Sequence, residues 1–274
     1  MAGKLYIVGT PIGNLEDFSP RGKRILGEVD FIAAEDTRVT VKLLNHLGIS
    51  KPMVAYFEHN KKERGNTVIE RMLAGETCAI VTDAGMPAIS DPGEDLIREC
   101  HERGIEVESV PGPTAFATAM ALSGCPSGRF CFEGFLSVNK PSRKQHLEEI
   151  KNERRTMIFY EAPHKLIKTL ADMYETFGDR NIAIVREITK IHETVMRTSF
   201  SEAIEFYKSN EPRGEYVLII EGAKEEIVSY TLEDAVTLAK KLRQEGLSAS
   251  AAAKEAATIT NIKKSDIYKG LLKG

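Results

Sequence analysis

The segment Cys78-Ala79-Ile80-Val81-Thr82-Asp83-Ala84-Gly85-Met86-Pro87-Ala88-Ile89-Ser90-Asp91-Pro92-Gly93 decides the fold. Cys78–Thr82 is apolar and β-branched, the composition of a short strand covered on both faces. The chain then changes character within one residue. Asp83 is followed by glycines and prolines, which make a tight, stiff turn. The same arrangement recurs where Ile105–Val110 runs into Pro111-Gly112-Pro113-Thr114-Ala115, and where Lys4–Val8 runs into Gly9-Thr10-Pro11-Ile12-Gly13-Asn14-Leu15. Strand, turn and helix in repetition imply a mostly parallel, covered sheet. In such sheets ligands bind at the carboxyl ends of the strands.

Reading outward, Phe31–Ala34 is a further strand, and Arg38–Leu47 and Thr67–Ala74 carry helical patterns. Ala115–Leu122 reads as a helix whose alternate alanines allow close packing. Ser123-Gly124-Cys125-Pro126-Ser127-Gly128 breaks the pattern. A second α/β block follows, with strands expected at Phe130–Phe132, Thr156–Tyr160, Ile182–Val185 and Tyr216–Ile220. Its helices are expected at Arg143–Glu153, His164–Phe177 and Ser201–Ser209. Residues 231–274 carry no strand signal. Behind Thr231 as a cap, Leu232, Ala235, Val236, Ala239 and Leu242 form a stripe of helical period. Ser248–Ala257 and Lys263–Leu272 complete three short helices, a helix-turn-helix-like module. The expected fold class is α/β: lobes at 1–114 and 115–225, then a small all-helical module at 226–274.

Composition bounds the function. The 274 residues carry a net charge of −3, so contact with nucleic acid must come from local basic patches. Such runs occur at Arg21–Arg24, Lys61–Arg64, Lys140–Lys144 and Lys151–Arg155, and residues 231–274 hold eight Lys/Arg against five Asp/Glu. A solvated helix face is the commoner explanation of each run, and the basic terminal module is what makes a nucleic-acid partner credible. Cys78, Cys100, Cys125 and Cys131 lack metal-ligand spacing and read as free thiols of a reducing cytoplasm. No signal peptide is evident, no apolar run reaches membrane length, and no membrane partner is expected.

Several polar groups have no evident structural task. The first turn is neither G-x-G-x-x-G nor a P-loop, so a conventional nucleotide cradle is not expected. Asp83, ending an apolar strand, suits a ribose hydroxyl or a cation. Asp91 is expected to cap the next helix, with Pro92 at its first position. Thr114-Ala115 opens a helix whose free N–H groups suit a carboxylate or carbonyl. Glu35-Asp36-Thr37-Arg38, Glu58-His59-Asn60, Tyr160-Glu161-Ala162-Pro163-His164-Lys165, and Arg186-Glu187 with Lys190 and His192-Glu193 form a polar set, mostly at strand ends. The histidines lack metal-binding spacing, and no metal is expected.

Together these segments, with Gly214-Glu215-Tyr216-Val217, resemble the rRNA-modifying branch of the tetrapyrrole methylase superfamily. The resemblance runs nearly the whole chain, and Ala34-Glu35-Asp36-Thr37-Arg38 and Glu58-His59-Asn60 are specific to that branch. It implies a bilobal enzyme with S-adenosylmethionine between the lobes, acting on a cytidine 2′-hydroxyl in the decoding region of small-subunit rRNA, free or in the 30S subunit. It implies a homodimer as well. Cofactor contacts carry over to Pro11, Asp83, Gly85, Met86, Thr114 and Ala115, and in the second lobe to Glu161, Ala162, Gly214 and Glu215. Asp36, Glu187 or His59 is expected to take the hydroxyl proton. Arg38 and Lys190 are expected to hold phosphates or the developing alkoxide, with Glu193 orienting one of them. The alternatives are a small-molecule, tetrapyrrole-type methyltransferase and a non-catalytic RNA-binding protein. The basic tail argues against the first and the intact turns against the second.

Overall fold

The computed structural model describes residues 2–57, 61–224 and 230–272. The chain divides into two compact units, Met1–Ala223 and Lys224–Gly274. The larger unit contains two five-stranded sheets.

The first sheet comprises β1 (Lys4–Val8), β2 (Phe31–Ala34), β3 (Met53–Ala55), β4 (Cys78–Val81) and β5 (Glu106–Val110), in the order β3-β2-β4-β1-β5. Every described pairing is parallel. Both faces of β2 and β4 are buried, as their unbroken apolar runs require. One face packs on α1 (Pro20–Glu28) and α2 (Thr37–Leu47) through Ile25, Leu26 and Leu44. The other packs on α3 (Lys61–Leu73) and α4 (Glu94–Glu102) through Val68, Met72 and Leu96.

The second sheet comprises β6 (Phe130–Phe135), β7 (Thr156–Glu161), β8 (Asn181–Arg186), β9 (Thr194–Ser199) and β10 (Tyr216–Ile220), in the order β6-β7-β10-β8-β9. It is mixed: β6 and β7 run parallel, and the other pairs are antiparallel. Helices α6 (Lys140–Glu149), α7 (Leu166–Phe177) and α8 (Phe200–Ser209) cover one face. Helix α5 (Ala115–Ser123) covers the other through Ala119 and Met120, joined there by Ile12 from the first lobe.

The sequence reading omits β3, β9 and α1. It also starts α6 three residues late and ends β6 three residues early. One capping expectation is corrected. The residue at the head of α4 is Gly93, with no side-chain cap, and Asp91 does not cap the helix. Gly93 has φ +146°, so the chain turns once more before helix can begin. The Asp91 carboxyl is thereby turned back to the Thr82 hydroxyl.

The smaller unit is three helices, α9 (Leu232–Gln244), α10 (Ala249–Thr260) and α11 (Lys264–Leu272). Thr231 caps α9 as expected, in a capping box with Asp234. Ala235, Ala239, Ala252, Ala253 and Ala256 let the helices close around Ile267 and Leu271.

Candidate functional site

Three turns at the carboxyl ends of β1, β4 and β5 are laced together by backbone. Thr10 and Gly85 exchange both hydrogen bonds, at 2.9 and 3.1 Å, and the Thr10 hydroxyl donates to the Thr82 carbonyl at 3.1 Å. Gly9 N–H donates to Val110 at 3.1 Å. A Cβ on Gly9 would lie 2.7 Å from Gly112, and one on Gly112 would lie 2.8 Å from Gly9. Only glycine lets these two chains touch.

A cleft of about 450 Å³ opens between these turns and the second sheet. Ile12, Met86, Ala115, Phe135, Ile188 and Val217 give its wall apolar surface. Glu35, Asp83, Asp91, Glu161 and Glu215 also line it, and among the described residues no lysine or arginine does. A wider groove of about 830 Å³ runs between α3 and α4. Its Arg98 and Arg103 are paired to acidic residues of α4 itself, as on a solvated helix surface.

The first-lobe wall is a linked set of carboxylates. The Thr82 hydroxyl donates to Glu35, and Asp83 N–H reaches the same oxygen at 3.3 Å. Asp36 N–H donates to Asp83 Oδ1 at 3.2 Å. Burial, then the neighbouring charge of Glu35, raises the Asp83 carboxyl above its ordinary range. The same two causes push Asp91 up to about 6. Asp36 behaves oppositely. It caps α2 through Arg38 N–H at 2.7 Å and takes a two-pronged contact from the Arg38 guanidinium, which holds it down at about 2. Arg38 remains 88 % exposed.

On the second-lobe side, Glu161 is buried and committed inward. It accepts from Ala162 N–H at 2.8 Å and the Thr169 hydroxyl at 2.5 Å, and pairs with Lys165 at 3.1 Å. Lys190 Nζ bridges Glu187 at 2.9 Å and Glu215 at 2.8 Å. Desolvation alone would raise Glu187, but hydrogen bonds from Lys190 and Glu215 N–H outweigh it and leave the carboxyl below its ordinary value. Glu193 accepts Thr189 N–H at 2.6 Å and so braces this loop. Glu187 and Thr189 stand in the left-handed region, at φ +53° and +66°. Gly214 at φ +79° lies against the Glu187 carboxyl, where a Cβ would collide.

Of the expected cofactor residues, Asp83, Gly85, Met86, Thr114, Ala115, Glu161, Ala162 and Glu215 border the cleft. Pro11 does not, although the next residue, Ile12, does; Gly214 stands behind Glu187. Asp36 and Arg38 form one ion pair beside the cleft, and Glu187, Lys190 and Glu193 brace a second edge. His59 lies outside the described residues. Sequence reasoning read Asp91 as a cap and left Glu35, Phe135 and Ile188 without individual roles. The signal for Asp91 was its place on the same loop as Asp83.

A family model described as Tetrapyrrole (Corrin/Porphyrin) Methylases matches residues 4–204. A Thermotoga maritima protein named Ribosomal RNA small subunit methyltransferase I is 48% identical over 220 residues, 80% of this chain and 99% of that one. Its namesake from Synechocystis is 42% identical over 97% of this chain and 96% of its own length. Among solved structures, diphthine synthase superposes with a TM-score of 0.61 at 14% identity, covering 80% of this chain and 90% of its own. Uroporphyrin-III C-methyl transferase from Thermus thermophilus, complexed with S-adenyl homocysteine, does so with a TM-score of 0.56 at 18% identity, covering 80% and 97%. The fold is therefore shared with these enzymes, and at 42–48% identity over most of its length the chain belongs to the tetrapyrrole methylase family, in its ribosomal RNA small subunit methyltransferase I branch.

Proposed function

We propose that the chain transfers a methyl group from S-adenosylmethionine to small-subunit ribosomal RNA, at the 2′-hydroxyl of a cytidine in the decoding region. The observation that carries this reading is the cleft walled by the three laced turns, in a chain whose relatives are named for ribosomal RNA methylation. The residues fit the cofactor. Asp83 and Asp91 offer carboxylates to a molecule with two cationic centres. Thr114 leaves the head of α5 without a side-chain cap, which suits a carboxylate. The Gly9–Gly112 contact brings the two turns together backbone to backbone, with the Met86 sulfur beside them.

The bound cofactor supplies an electrophilic methyl group on a positively charged sulfur. The chain's task is to align the ribose oxygen and accept its proton. Asp36 and Glu187 are held low by Arg38 and by Lys190 with Glu215 N–H, so they hold positive charge better than they take protons. Asp91, facing the cleft and raised to about 6, is the better acceptor near neutral pH. Arg38 and Lys190 stand ready for phosphate at the two edges, and the helices of 230–272 add the basic surface for RNA.

The test uses methyl-labelled S-adenosylmethionine with 30S subunits, free small-subunit rRNA and a porphyrinoid. Label in RNA, recovered as 2′-O-methylcytidine after nuclease digestion, is the expected outcome. Label in the porphyrinoid, on a base, or nowhere would sink the assignment.

A further inference from the structure

Strand β6 does something unusual immediately beside the cleft. Cys131 packs toward α6–α8 and Phe132 toward α5, the alternation a regular strand requires. Continued without interruption, that alternation would turn residue 135 toward the α6–α8 core. Instead the register against β7 shifts between Phe132 and Gly134: Phe132 opposes Ile158, Gly134 opposes Phe159, and Phe135 opposes Tyr160. The extra residue is a β-bulge, and Gly134 takes φ +64° within it. No atom crowds a Cβ at Gly134, so the backbone angle alone favours glycine there. The bulge moves Phe135 to the face of Tyr160, at the cleft, and leaves it 55 % exposed.

A large apolar ring has thus been turned out of a core and into solvent. It is also held firmly. Tyr160 meets the Phe135 ring edge-on at 5.4 Å, and the Tyr160 hydroxyl accepts Phe116 N–H at 3.1 Å. Arg143, itself buried and paired with Asp172 at 2.7 Å, donates to the carbonyls of Ser137 and Val138, fixing the chain just beyond. Lys165 Nζ lies 5.6 Å from the ring centroid. A rigid, exposed ring beside a cation is how proteins hold an unstacked nucleobase and its phosphate.

Resting on the function proposed above, we propose that Phe135 is the platform on which the base of the target nucleotide stacks when that nucleotide is drawn out of the RNA. The cofactor's adenine is the other base such a ring could hold. The RNA base is favoured by exposure and by the neighbouring charge. Phe135 is 55 % exposed, and Lys165, a cation suited to a phosphate and not to the cationic cofactor, lies beside its ring.

The chain contains no tryptophan, so Phe135→Trp places a single indole at the platform. Titration of this variant with a decoding-region rRNA fragment should quench its fluorescence saturably, and titration with S-adenosylhomocysteine alone should not. Phe135→Ala should raise KM for 30S or rRNA roughly 5- to 150-fold, the loss expected for one stacked base, with cofactor Kd unchanged. Phe135→Trp should restore most of that loss. Quenching by the cofactor alone, with a matching rise in its Kd for Phe135→Ala, would assign the ring to adenine and overturn the proposal. An unchanged KM for Phe135→Ala would overturn it too. In either case the wild-type protein still labels RNA. A wild-type protein that labels no RNA refutes the underlying function and this role together.

Discussion

Replacing Gly112 by alanine should damage the proposed cofactor site without touching any charged group. Its Cβ would stand 2.8 Å from the Cα, carbonyl carbon and oxygen of Gly9. Carbon atoms rest at about 3.5–4.0 Å, so the two turns must part by about 0.7–1.2 Å. The Gly9 N–H to Val110 bond, now 3.1 Å, leaves hydrogen-bonding range if the separation runs along it. Neither glycine has a positive φ, so the cost is steric and not conformational. Overpacking of this kind costs about 1–3 kcal/mol, a fall in Tm of about 2–12 °C for a unit this size. Thr114 and Ala115 follow Gly112 by two and three residues, and misplacement by about 1 Å should weaken cofactor binding roughly 10- to 100-fold. Gly27→Ala is the matched control: Gly27 sits in α1 with nothing within 4 Å of a Cβ. There the same change should stabilise by about 0.5 kcal/mol, because alanine favours helix. Thermal melts and calorimetric titration with S-adenosylhomocysteine measure both effects. If Gly112→Ala melts and binds like wild type, the close approach of the turns does not build the pocket.

Asp91→Asn should stabilise the protein about twice as much at pH 8 as at pH 5, while lowering kcat. The folded carboxyl at about 6 lies above its unfolded value of 3.8, so the folded state holds a proton the unfolded state releases. Wild-type stability therefore falls as pH rises between those values, and the full cost, about 1–2 kcal/mol at this half-buried site, is present above 6. Urea melts at the two pH values decide it, and equal gains at both would refute the reasoning. A chain ending at Ala223, the edge of the larger compact unit, should keep its cofactor Kd and show a raised, less salt-sensitive KM for rRNA. An unchanged KM would remove the RNA role of the helical module.

The central strands were legible because burial on both faces leaves one composition available to them: Phe31–Ala34, Cys78–Val81 and Tyr216–Ile220 are runs with no polar residue. Edge strands escape that constraint. Strand β3 is three residues long, and β9, Thr194–Ser199, is largely polar with one side unpaired. Helix α1 carried its signals openly, Ser19 as cap and Pro20 at the first position, and its omission was avoidable. The site was legible to the extent that a strand end announces a ligand. What the sequence could not convey were features made by pairing between distant segments. The β6 bulge exists only relative to β7. The identity of Asp91 depends on Thr82, nine positions earlier, being closer to its carboxyl than the helix it precedes. An Asp-Pro pair before a helical pattern is the common spelling of a cap, and the intervening glycine at φ +146° overrules it.

The distribution of charge explains why this arrangement suits a cationic cofactor and a polyanionic substrate at once. Glu35, Asp83 and Asp91 crowd one wall, and the charge of Glu35 contributes to raising both aspartates. A positively charged group in the cleft relieves that repulsion, whereas a phosphate there would add to it. Under the proposed function RNA backbone would be disfavoured in the interior, and the uncharged part of a nucleotide, a ribose and its base, would enter. The cations stand outside this zone. Arg38 lies on the solvent side of Asp36, Lys190 is tied to Glu187 and Glu215, and Lys165 stands beside Phe135. Each is anchored by a carboxylate, which fixes its position and leaves donor capacity directed outward. In the proposed reaction the cleft would sort its two substrates by charge before any base is read. The exposed ring of Phe135 lines the same cleft beside Lys165, where the proposed target base would stack.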